Sequence, residues 1–220
     1  MLPDPLPRAQ PMRYQPFVWP GGEKRQLAPR DRALELDLCA VLEQRQTRRD
    51  FNRALENSML DDFLWLACRN RSSRATTFGP SQESRVYPSA GAMHPIHVLL
   101  THTAGPWLRY DPAEHALIEL PGSADRAAAG RNAAGHLVNL GEGVVLGLVA
   151  EPGKTAAKYE NHETLVWRDA GVVLGYMSLV AEALGLTFCP LGITGEPYLT
   201  DYLSDAAPLQ AVGLAIVGMT

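Results

Sequence analysis

The chain has 220 residues, of which 46% are hydrophobic and 20% charged, with a net charge of −4. That is enough apolar material for one sizeable core, and the acidic balance speaks against a protein that grips nucleic acid through its phosphates. The three cysteines, Cys39, Cys68 and Cys189, form no CxxC pair, which argues against a disulfide framework or a structural zinc site and for a reducing, cytoplasmic setting.

The first 30 residues read as an extended arm. Pro3, Pro5, Pro7, Pro11, Pro16, Pro20 and Pro29 remove donors and fix φ, so neither a helix nor a central strand is expected there. Tyr14, Phe17 and Trp19 are too apolar for a free tail, and predict a strap laid over a surface such as a partner subunit's. The arm carries no apolar run of signal-peptide type. The longest apolar stretch, residues 170–186, is shorter than the roughly 20 residues a membrane span needs. From residue 31 to 220 we expect one domain.

A helix is predicted from Asp31, with Leu34, Leu38, Val41 and Leu42 on one face. A second follows Ser58 as N-cap, with Asp61 and Asp62 in its first turn and Leu60, Phe63, Leu64 and Ala67 buried. Residues 70–92, rich in Ser, Arg, Gly and Pro, read as one long loop. A strand is expected over 96–103. A hairpin follows, pairing Trp107 to Tyr110 with Ala116 to Leu120 around a turn at 111–115. Residues 123–137 are alanine-rich and helical, and the unbroken apolar run Val144 to Ala150 suits a strand covered on both faces. Residues 163–184 form the longest helix, stopped by Gly185, with Gly171 and Gly175 open to close approach by another backbone. A strand at 187–191, a short helix at 197–203 and a strand at 211–217 complete an α+β pattern.

Four segments have the composition of a site. Arg45, Arg48 and Arg49 with Thr47 give donors matched to phosphate oxygens, or equally a solvated basic loop. Tyr87-Pro88-Ser89-Ala90-Gly91-Ala92 would let backbone come close to a ligand, although any tight turn has such residues. Lys158-Tyr159 stands out because the chain holds only three lysines (with Lys24 and Lys154). The two side chains could form a proton-transfer pair, or lie at the surface. At Cys189-Pro190-Leu191-Gly192-Ile193-Thr194-Gly195, a strand end meets a turn with free backbone N–H groups, while Cys189 itself reads as a small buried hydrophobe. His94 and His97, three apart at the strand entry, face opposite sides, as do His97 and His102, five apart, which leaves no metal-ligand cluster. No GxSxG elbow is present for a serine hydrolase.

In order, Arg45–Phe51, Leu60–Ala67, Arg85–Pro95, Trp107–Leu120 and Lys158–Ile193 resemble the FMN-dependent nitroreductase family, most of all the azoline dehydrogenase branch that oxidises thiazolines and oxazolines in modified peptides. The resemblance implies an α+β sandwich, a central mostly antiparallel sheet flanked by helices, in an interwoven homodimer with two FMN sites at the subunit interface. By position, Arg45, Gln46 and Thr47 would meet the phosphate and ribityl chain, and Arg49 the pyrimidine edge. Pro88, Ser89, Ala90 and Gly91 would pass over the ring from the other subunit. Backbone at Leu191, Gly192 and Ile193 would face flavin N5. Lys158 and Tyr159 match the Lys-Tyr of the azoline branch, which removes the proton as hydride leaves. The chain departs from the pattern with Gln46 for arginine, Thr47 for serine, Glu160 where the branch has glycine, and Val172 for histidine. It closes on Val217-Gly218-Met219-Thr220 instead of a basic stretch. The implied activity is dehydrogenation of an azoline or related heterocycle, on a small molecule or a modified peptide. The alternatives are an NAD(P)H-dependent nitro, quinone or ene reductase, and a non-catalytic flavin-binding or docking subunit.

Overall fold

Strand Val144–Ala150 is buried along its whole length, and its alternation explains the layering. Val144, Leu146, Leu148 and Ala150 enter one hydrophobic cluster, Val145 and Val149 another. Successive side chains point to opposite faces, so the two clusters lie on the two sides of one sheet. The computed structural model describes residues 3–30, 35–102, 104–203 and 208–220. Its elements are β1 (Leu6–Pro7), β2 (Lys24–Gln26), α1 (Leu38–Gln44), α2 (Asn57–Cys68), β3 (Asn70–Arg74), β4 (Gln82–Arg85), β5 (Ile96–Thr101), β6 (Leu108–Asp111), β7 (Ala116–Glu119), α3 (Ala124–Gly135), β8 (Val144–Ala150), α4 (Pro152–Ala156), β9 (Tyr159–Glu160), α5 (Glu163–Ala183), β10 (Thr187–Leu191) and β11 (Gln210–Gly218).

The main sheet has seven strands in the order β10-β11-β8-β5-β6-β7-β2, and its pairings are antiparallel. Leu60, Phe63, Leu64 and Ala67 of α2 and Val166, Ala170, Val173 and Met177 of α5 cover one face. Trp107, Leu120, Ala127 and Ala134 of α3, and Leu199 cover the other. Gly147 makes room for Leu199, since a Cβ there would stand 2.4 Å from its Cδ2. The architecture is α+β, as expected.

Several local expectations are corrected. Residues 70–92 hold the β3–β4 hairpin and a single turn at Ala90–Ala92 instead of one loop. The first helix starts at Leu38, capped by the Asp37 carboxylate on the Cys39 N–H, while Asp31 and Leu34 lie outside the described residues. Of its apolar face only Val41 is buried, with Leu38 66% and Leu42 55% exposed. The second helix begins at Asn57 with Glu56 as N-cap. Asp61 is instead occupied in accepting from the Ala28 N–H, and Asp62 pairs with Arg30. The strand after Pro95 ends at Thr101, and residue 103 is outside the described set. Residues 197–203 make hydrogen-bonded turns, not a helix. Gly171 and Gly175 stand open on α5, where a Cβ on either would touch nothing within 4 Å among the described residues.

The arm lies on its own chain. β1 pairs with β9, and β2 adds the edge strand beside β7. No helix among the described residues is long and apolar enough to cross a membrane.

Candidate active site

Two of the four segments meet at Gly91. Lys158 Nζ donates to the Gly91 carbonyl at 3.0 Å. A Cβ on Gly91 would stand 2.8 Å from Lys158 Cδ and 3.0 Å from both Tyr159 Cε2 and its hydroxyl oxygen. The loop therefore carries no side chain where the Lys-Tyr pair packs. Gly91 has φ +60°, and Ala92 and His94 also sit at positive φ, 59° and 44°. Non-glycine residues there store local strain that the surroundings must hold.

They are held from several sides. The Ser89 hydroxyl donates to Asp169 Oδ2 at 2.6 Å, the Ala90 N–H donates to Oδ1 at 3.2 Å, and the His94 N–H donates to Ser89 Oγ at 2.9 Å. Asp169 is buried on α5, and that burial pushes its carboxyl above the usual range despite the two donors. Its signal in the sequence was a carboxylate inside the apolar longest helix.

A buried polar network fixes both ends of the loop. At its start, Arg85 donates to Glu83 at 2.7 Å, to the Tyr87 hydroxyl at 2.9 Å and to the Ile96 carbonyl at 3.2 Å. At its end, Lys154 Nζ donates to the His94 carbonyl at 3.1 Å. His94 is 2% exposed, and burial pulls its pKa down to about 4. Behind it Glu151, 1% exposed, accepts from the Tyr14 hydroxyl at 2.9 Å and the Phe17 N–H at 2.6 Å, and meets His97 Nε2 at 2.9 Å. Burial lowers His97 to about 4. Burial also works against the Glu151 anion, yet its donors hold that carboxyl below the ordinary range. Sequence reading missed the roles of Glu83, Glu151 and Lys154. The partners of Glu151 lie 54 to 137 positions away, beyond any local spacing rule. His94 and His97 thus serve separate structural ends, and the described residues contain no metal-binding group.

The arginine segment lies elsewhere. Arg45 and Thr47 line a cleft of about 660 Å³ with Pro88, Gly171, Gly175 and Pro190. Gln46 and Arg49 are exposed beside it. Arg48 is committed to structure: its guanidinium meets Glu182 of α5 at 2.5 and 3.1 Å, and that hydrogen bond raises its pKa. The fourth segment is split. Pro190 lines this cleft and Leu191 ends β10 next to it. Gly192 is exposed, and Ile193 lines a separate cleft with Gly195, Glu196 and His136. Cys189 is buried, as a small hydrophobe should be.

The model of the Nitroreductase family matches residues 42–219. No curated protein matches the chain in sequence. Among solved structures, a nitroreductase candidate from Ralstonia eutropha JMP134 superposes with TM-score 0.71 at 23% identity, over 96% of this chain and 97% of that one. A chain of the E. coli microcin synthetase McbBCD complex, solved with truncated pro-MccB17 bound, gives 0.60 at 17% identity over 89% and 78%. A nitroreductase candidate from Desulfovibrio desulfuricans in complex with FMN gives 0.52 at 20%, over 84% and 86%. At these identities the likeness is one of fold.

Proposed function

We propose that this chain, which belongs to the nitroreductase family, is an FMN-dependent oxidoreductase that dehydrogenates an azoline or a related heterocycle, with Lys158 and Tyr159 moving the proton. The observation that carries this reading is the seating of both side chains against Gly91. It puts an amine and a phenol on the loop that the resemblance lays over the flavin. Support for the substrate class comes from the Lys-Tyr match and from the fold shared with the microcin synthetase chain.

The residues present fit FMN. No side-chain hydrogen bond occupies Arg45, Thr47 or Arg49 among the described residues, so these groups are available for a phosphate and ribityl chain. The cleft beside them offers the flat, side-chain-free face of Gly171 and Gly175 to a planar ring. Bound FMN supplies two-electron chemistry by accepting hydride at N5. Arg49 would place a fixed cation at the pyrimidine edge, where charge develops on reduction. Backbone from Leu191 to Ile193 would face the ring's N5 side. Pro88, Ser89, Ala90 and Gly91 would cover the ring of a second subunit. The open α5 face and the exposed Leu38 and Leu42 of α1 would be covered in such a homodimer.

Lys158 holds its place through one N–H to Gly91 and has a lone pair to offer once neutral. As the heterocycle gives up hydride and a proton, the proton passes to the Lys158-Tyr159 pair and the C=N or C=C bond forms. Electron flow from NAD(P)H to a nitroaromatic, quinone or alkene is the competing direction. Anaerobic mixing of the FMN-loaded protein with a thiazoline dipeptide, and separately with NADPH, tests this at about 450 nm, where oxidised flavin absorbs. Bleaching by the thiazoline, lost in Lys158→Ala with FMN retained, is the expected result. Fast bleaching by NADPH alone would reverse the assigned direction.

A further inference from the structure

We propose that the proline-rich arm is part of the active site, with Arg8 as a positioning residue for Lys158 and Tyr159. This rests on the reading that the Lys-Tyr pair moves the proton. The segment that carries the pair has little structure of its own: α4 is five residues long and β9 two. A two-stranded pairing of that length is marginal without further contacts. The arm supplies them. Leu6 pairs with Glu160 and Pro7 with Tyr159. The Arg8 N–H donates to the Lys158 carbonyl at 2.9 Å, and its guanidinium donates to the Ala156 carbonyl at 2.8 Å and to Glu160 at 3.3 Å. The Met12 N–H donates to the Ala157 carbonyl at 2.7 Å, and Asn161 reaches back to the Asp4 carbonyl at 3.1 Å.

Arg8 thus ties together positions on both sides of the pair. A lysine amine is placed by the backbone that bears it, and four rotatable bonds otherwise let it wander. The 3.0 Å contact from Lys158 to Gly91 therefore depends on a backbone fixed by the arm. Glu160 supports the same conclusion. It stands where the azoline branch carries glycine, and here its carboxylate is the anchor for Arg8. The departure at Glu160 and the arm answer each other within one chain.

The test uses the full-length, FMN-loaded protein with Arg8→Ala, Arg8→Lys, Lys158→Ala and the Arg8→Ala/Lys158→Ala double variant. Flavin content and FMN affinity should stay within twofold of the parent. With the thiazoline dipeptide, Arg8→Ala should lower kcat about tenfold to a hundredfold, the scale of a misplaced catalytic group, while KM holds. Arg8→Lys, which keeps the charge for Glu160, should restore part of that loss. In the Lys158→Ala background, Arg8→Ala should add nothing. An equal loss in both backgrounds, or flavin lost in parallel with rate, would make Arg8 merely structural and overturn the proposal. Full turnover by Lys158→Ala would instead overturn the underlying reading. A readout free of any substrate is labelling by a succinimidyl ester. Lys158 should react several-fold faster in Arg8→Ala, with exposed Lys24 as internal standard, and an unchanged ratio refutes the positioning role.

Discussion

Gly91→Ala isolates the contact on which the catalytic reading depends. The residue sits at φ +60°, where an L side chain costs about 1–2 kcal/mol. For a chain of this length that corresponds to a melting temperature lower by roughly 2–8 °C. The new methyl would also meet Lys158 Cδ at 2.8 Å and the Tyr159 ring at 3.0 Å, closer than carbon atoms pack. Both partners are the ends of movable side chains, so the fold survives while the pair shifts and the Lys158 bond to the Gly91 carbonyl lengthens. A displacement of about 1 Å costs a catalytic group on the order of a hundredfold in rate. We expect flavin-loaded Gly91→Ala to bleach with a thiazoline about 100-fold more slowly, and to melt a few degrees lower in a scanning fluorescence assay. Parental bleaching rates together with the lowered melting point would show that the seating of Lys158 and Tyr159 on this loop is irrelevant to the chemistry.

Four further outcomes follow from the network and the cleft. Glu151→Ala orphans the Tyr14 hydroxyl, the Phe17 N–H and His97, and should cost roughly 3 kcal/mol in urea unfolding while trypsin cuts faster at Arg13. An unaltered urea midpoint would remove Glu151 from the role of arm anchor. Burial keeps His94 and His97 neutral down to about pH 4, whereas in the unfolded chain they bind protons from about pH 6.5. The unfolded state therefore holds more protons in that window, and stability falls as the pH drops from 6.5 to 4. A melting temperature flat across it would contradict the assignment. Arg45→Ala should weaken FMN binding about tenfold or more, as the loss of a charged hydrogen bond does, without moving the melting point of the apoprotein. Arg48→Ala, which breaks the pair with Glu182, should lower the melting point and leave FMN affinity within twofold. Fluorescence titration with FMN would expose the reverse pattern.

The elements that could be read in the sequence are those whose side chains face a core. Val144–Ala150 and the apolar helix from Glu163 announce themselves because burial selects their residues. The β3–β4 hairpin does not, since Asn70–Arg74 and Gln82–Arg85 are polar and largely exposed, and backbone pairing holds them. The face of α1 misled for the opposite reason: its leucines have helical spacing, but among the described residues of that face only Val41 is covered. Of the site, the Lys-Tyr pair, Gly91 and the arginine segment were visible as residue types. Their supports were not. Glu151, Lys154, Asp169 and Arg8 act across long sequence separations, and nothing local marks a buried carboxylate as the partner of a tyrosine 137 positions away.

The edge strand β2 bears on how this chain can be shortened. The family's shared region starts at residue 42, and a truncation there would look harmless by alignment. It would strip Lys24–Gln26 from β7 and leave Ala116–Glu119 with a bare row of backbone donors and acceptors. An uncovered edge of that kind is a template on which another copy can add a strand. In such a shortened protein, insolubility would come from the sheet margin as well as from the core, which loses the buried Leu27.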